Sequence, residues 1–230
     1  MHDRADIDDL RCCSFKQFID YAFDRPVPKN WGDPHWWHAD ARFGVEILVN
    51  PTLQVHYASR LFQEPLILRE WFSPKQIDQG FWFLGFVNMP ECAPFFAEPF
   101  WSAGVDLDSR MTCAREMFCL YEKLFAPFPS ESATEMWWDL LAGVLEKVNT
   151  REVSPHPNGD SEQVRQEMVR TLERILGLDQ PHCQHAALHG LNHVALASER
   201  ALVIDRFLTS KKIDSELAKF ALVCRAGTAH

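Results

Sequence analysis

At four points in this chain a polar residue stands directly before a proline, at the head of a new segment: Asp33-Pro34, Asn50-Pro51, Ser73-Pro74 and Gln180-Pro181. Proline is already bent for the first position of a helix, where its missing N–H costs nothing. A short polar side chain ahead of it can accept a bond from a helix N–H that has no partner inside the helix. TLQVHYASRLFQ follows the second pair, KQIDQGFWFLGF the third, and a histidine-rich run the fourth. Ser14 opens SFKQFIDYAFD in the same way, with Phe15, Phe18, Ile19, Ala22 and Phe23 at helical spacing.

The same period recurs further along. Asp108 or Ser109 is expected to cap SRMTCAREMFCLYEKLF, with Met111, Ala114, Met117, Phe118, Tyr121 and Leu124 or Phe125 as its apolar stripe. ATEMWWDLLAGVLEKV follows the turn APFPS. SEQVRQEMVRTLERIL places Val164, Met168, Leu172, Ile175 and Leu176 on one face, and Gly177 suits a left-handed closing position. ERALVIDRFLTS and DSELAKFALVCRA supply two more helices, the last ending at Gly227. There is no β-hairpin dipeptide and no sustained alternation. Short connections between such helices predict an all-α single domain of stacked antiparallel αα-hairpins, like a HEAT or α-solenoid array. Residues 1–33 read as a helix and a proline-rich strap (RPVPKNWGDP), and 34–150 as a helical region with an aromatic core. Within that region, 87–104 reads as a packed loop. Residues 151–160 read as a linker-like loop, and 161–227 as C-terminal HEAT-like hairpins.

Eight Trp and 17 Phe in 230 residues are ample for a buried core, which excludes a disordered chain. The net charge of -9 argues against nucleic-acid binding and makes a basic protein partner electrostatically plausible. The seven cysteines, at 12, 13, 92, 113, 119, 183 and 224, are scattered, odd in number and without a CxxC pair. No secretory or membrane-spanning run is apparent, so reduced thiols and a cytoplasmic location are expected, with no membrane association.

Three pieces, FSPKQIDQGFWFL (72–84), MWWDLL (136–141) and CQHAALHGLNHVAL (183–196), resemble those of an uncharacterised family of bacterial all-helical proteins with HEAT-like repeat character. The resemblance spans roughly residues 60–225. It implies a fold and almost no chemistry. Asn192 departs from it where Gly is expected, and 133–135 lack the Cys-Tyr associated with the residues before MWWD.

The strongest cluster of chemistry-bearing residues is PHCQHAALHGLNH. His185, His189 and His193 are spaced i, i+4, i+8 and drift about 40° per step around a helix. Neighbouring pairs can reach one metal, and Asp139 of MWWD is the carboxylate that could complete a set of His185, His189 and Asp139. The first-turn Cys183 stands where a helix dipole favours a thiolate, beside His182. The competing reading is packing: Ala186, Ala187 and Gly190 let another helix approach, and the histidines bond neighbouring groups inside the contact. On that reading the helix packs on 161–176. Trp137 and Trp138 are either two walls of a pocket with Asp139 or core fillers whose indole N–H meets Asp139. Trp36 and Trp37, in PHWWHAD, are candidate partner anchors.

No phosphate-binding loop, dinucleotide fingerprint, nucleophile elbow or calcium loop is present. The leading expectation is a non-enzymatic protein-interaction protein without a cofactor. Its specific form is an immunity-type inhibitor of a basic toxin. The alternative is a metal-assisted hydrolase built on the His-rich helix.

Overall fold

Caps and breaks set the elements. In the computed structural model, described over residues 7–29, 46–85, 95–130, 132–151, 159–210 and 213–229, Ser14 closes the start of α1 (Phe15–Phe23). Its side chain accepts from Gln17 N, and the Gln17 side chain returns a bond to the Ser14 N–H, a reciprocal box. Asn50 accepts from Leu53 N ahead of Pro51 to open α2 (Pro51–Gln63). A short turn, α3 (Ile67–Trp71), follows. Ser73 and Gln76 then exchange bonds at the head of α4 (Pro74–Gly85). The Asp33-Pro34 cap and the second half of the strap lie outside the described residues.

Some local expectations are corrected. Residues 97–101, read as loop, form a short helix, α5 (Ala97–Trp101). The next helix, α6 (Leu107–Leu120), is capped by Asp106, which accepts from Ser109 N at 2.9 Å, and not by Asp108 or Ser109. It does not continue regularly to Phe125: Tyr121–Phe125 is one turn of π-helix, closed by Ala126 N donating to Tyr121 O. A π turn inserts one residue into the helical repeat, a shift that residue period cannot show. The all-α frame carries one short exception, a parallel pair of three-residue strands, β1 (Ile7–Asp9) and β2 (Glu46–Leu48). Long-range pairing of so short a run leaves no alternation to read.

The last six helices build two layers. α7 (Ala133–Arg151) is started from outside: Asp78 of α4 accepts from the backbone N–H groups of Ser132 and Ala133. α8 (Asp160–Leu176), α9 (Pro181–Val194), α10 (Ala197–Ser210) and α11 (Ser215–Ala226) follow. Gly177, after α8, sits at φ -69° and ψ -21°, a right-handed conformation, so the left-handed expectation fails there; the left-handed closing glycine is Gly227, with φ 76°, where the last helix ends as expected.

Contacts between helices fix their directions. Arg110 pairs with Asp160 and Arg115 with Glu167, so α6 and α8 run the same way. Arg165–Glu199 and Glu173–Arg206 do the same for α8 and α10. In the other layer, Asp78 meets Ala133 and Gly85 meets Leu140 between α4 and α7; Glu135 meets His185 and Asp139 meets His189 between α7 and α9; Phe220 of α11 lies on His185. Between layers the order reverses: Leu172 abuts Gly190 while Arg165 reaches Val194 O, so α8 and α9 are antiparallel. The result is a stack of helical hairpins, all-α as the periodicity predicts.

The core is aromatic. Trp137 stacks on Phe96 at 6.0 Å and meets the edges of Phe62 and Phe81, and both Trp137 and Trp138 are fully buried. Among the described residues no helix is long and apolar enough to cross a membrane.

Candidate functional site

Close packing of α9 on α7 creates the site. Gly190 has no side chain, and a Cβ placed there would lie 2.7 Å from Trp138 Cγ and 2.8 Å from a Leu172 methyl. The backbone of α9 therefore rests on the stem of a buried tryptophan. The next residue on α7 is Asp139 and the preceding one on α9 is His189, so the same contact brings those two side chains face to face.

His189 Nε2 lies 2.8 Å from Asp139 Oδ2, and His193 Nε2 lies 3.4 Å from Asp139 Oδ1. His189 is buried, Asp139 is 19% exposed and His193 36%, so the cluster opens toward solvent on the His193 side. One nitrogen from each imidazole and one carboxylate oxygen all fall within 4.8 Å of one another. Asp139 Oδ1 is itself buried and receives no well-directed hydrogen bond. The Asp139 carboxylate raises the His189 pKa above the ordinary imidazole value, mainly through the hydrogen bond and against the desolvation of a buried ring.

One turn away the pattern repeats in weaker form. His185 Nδ1 is 3.2 Å from Glu135 Oε1, and its ring lies flat on Phe220 with centroids 3.8 Å apart and planes 10° apart. Here burial dominates and lowers the His185 pKa, with the Glu135 charge opposing. The expected ligand set of His185, His189 and Asp139 is thus only partly brought together: His189 and Asp139 meet, but the second imidazole is His193, and His185 belongs to Glu135 and Phe220. The reason is rotational. Three histidines at i, i+4, i+8 wind slowly around α9, and only the crossing of α7 decides which two face Asp139.

His182, the fourth histidine, faces the π turn, with Nε2 2.9 Å from Phe125 O. Donation to a carbonyl freed by the irregular turn is a packing role. Cys183 is fully buried, and desolvation pushes its thiol up to about 12, so the thiolate favoured by the helix dipole does not form. Trp137 and Trp138 fill core rather than wall a pocket, and neither indole N–H bonds Asp139. Trp36 and Trp37 lie outside the described residues. Glu135 was not singled out by sequence, although a signal existed: Glu135 and Asp139 share the four-residue spacing of His185 and His189. Two such ladders match rung for rung only when their helices run parallel.

A scan against family models, a search of curated proteins and a search of solved structures each return no match for this chain.

Proposed function

We propose that this chain is a non-enzymatic binding protein, a stack of helical hairpins whose C-terminal end receives a protein partner. One observation carries the reading. Of the seven exposed large apolar side chains among the described residues, Leu196, Leu202, Leu222 and Val223 fall at or within the last hairpin, each 42–57% exposed. Exposed apolar side chains concentrated on one hairpin suit an interaction surface. The net charge of -9 supports a basic partner, drawn in by long-range attraction, and an immunity-type inhibitor of a basic toxin is the specific form of this reading. The family resemblance adds a helical-scaffold expectation and no chemistry.

The test is capture from the native host with the wild-type chain and with Leu202→Glu/Leu222→Glu, positions exposed enough to leave the fold intact by circular dichroism. A partner held at fixed stoichiometry by wild type and released by the double variant supports the proposal. Its association rate should fall as salt rises, because exposed charges are screened beyond about 8 Å at physiological ionic strength. Equal capture by both proteins would remove this surface from the reading.

A further inference from the structure

The geometry points to a site for a divalent first-row transition ion, with zinc the best fit, held by Asp139, His189 and His193. The site is defined by side-chain placement in the α7–α9 contact and is independent of the partner-binding reading. Imidazole nitrogen and carboxylate oxygen are the ligands such ions take, at about 2.0–2.2 Å from the metal. Two ligand atoms at that distance and at a tetrahedral angle lie about 3.3 Å apart. His193 Nε2 and Asp139 Oδ1 are 3.4 Å apart, already at that spacing. His189 Nε2 and Asp139 Oδ2 are 2.8 Å apart, the length of a hydrogen bond. An ion on His189 Nε2 would displace the proton from that nitrogen, to Nδ1 in a neutral ring or to solvent from a charged one, and the three ligand atoms, now within 4.8 Å of one another, would close around it.

Two further features favour a cation over a purely structural bridge. A carboxylate that serves only to fasten His189 needs one oxygen, yet Asp139 turns its second, buried oxygen toward His193 without a directed donor. The site also opens to water beside His193, leaving room for a fourth ligand, the arrangement of an accessible rather than a sealed centre.

The experiment uses the full chain, freed of any histidine tag and treated with chelator, titrated with Zn²⁺ alone by calorimetry. One ion per chain is expected, with His193→Ala and Asp139→Asn each weakening binding more than about 10-fold, the least that losing a ligand should do when outer partners alone account for 10–100-fold. His185→Ala should stay within about two-fold, since that ring stands outside the ligand set. His193 is partly exposed, so its variant keeps the fold; melting curves without metal check this for every variant. Co²⁺ in place of Zn²⁺ should give the intense visible bands of a tetrahedral site, absent in His193→Ala. Failure of the wild type to take up Zn²⁺ saturably would overturn the proposal. So would a His185→Ala protein that loses binding as fully as His193→Ala, or a His193→Ala protein that binds as wild type does.

Discussion

Two glycines in helix interiors should respond to alanine in opposite directions. Gly143 lies in α7, and a Cβ there would meet nothing within 4 Å. Gly190 lies in α9, and a Cβ there would sit 2.7 Å from Trp138 Cγ, 2.8 Å from Trp138 Cβ and 2.8 Å from Leu172 Cδ2. Both replacements gain about 1 kcal/mol of helix propensity. For Gly143→Ala nothing opposes that gain, and the melting temperature should rise by about 2–4 °C in a chain of this size. At Gly190 the methyl needs nearly an ångström more room than it has. Leu172 can swing its methyl aside, but the Trp138 stem is fixed by a ring that is fully buried. Overpacking a core costs about 1–3 kcal/mol, and two rigid contacts place this case at the upper end. The net loss is about 2 kcal/mol, or about 4–8 °C. Urea unfolding of both variants, with the denaturant slope checked for constancy, separates them by about 3 kcal/mol. A Gly190→Ala protein as stable as wild type would refute the account of the α7–α9 contact, and with it the placement of Asp139 against His189.

Trp137→Ala should cost about 3–5 kcal/mol, since its ring is fully buried among Phe62, Phe81 and Phe96; melting within a degree or two of wild type would show that it is not core. Arg165 ties Glu162 and Glu199 together across α8 and α10, and its guanidinium holds both carboxyls below the ordinary 4.5. Folded values below unfolded ones mean the contribution is complete above that pH and is lost as pH falls through the folded values. Arg165→Met should therefore flatten the acid limb of the urea midpoint plotted against pH, and an unchanged limb would deny the cluster any role in acid stability.

Local chemistry was legible from the residues and helix phase was not. Ser14, Asn50 and Ser73 act on neighbours three positions away, so their caps read directly from sequence, and Gly190 beside Ala186 and Ala187 announced a tight helix contact. The partner helix was half legible. α9 packs on α8 as expected, but α7 lies against it too, side by side and parallel. Whatever depended on that lateral neighbour was missed: His193 in place of His185, the role of Glu135, and the indole N–H groups that do not reach Asp139. The π turn at Tyr121–Phe125 and the right-handed Gly177 escaped for a different reason. Each is a decision of a single turn, made by packing, with no periodic trace.

The layered order of the helices has a consequence for how the molecule comes apart. α10 and α11 touch the rest of the chain chiefly through α8 and α9, by Arg165–Glu199, Glu173–Arg206 and the ring of Phe220 on His185. Helices coupled mainly to their neighbours do not have to open with the whole: α10 and α11 can part from the stack while its middle stays intact. Those helices carry exposed leucines, so a partner seated on them would act as a clasp, slowing the first opening step without touching the aromatic centre.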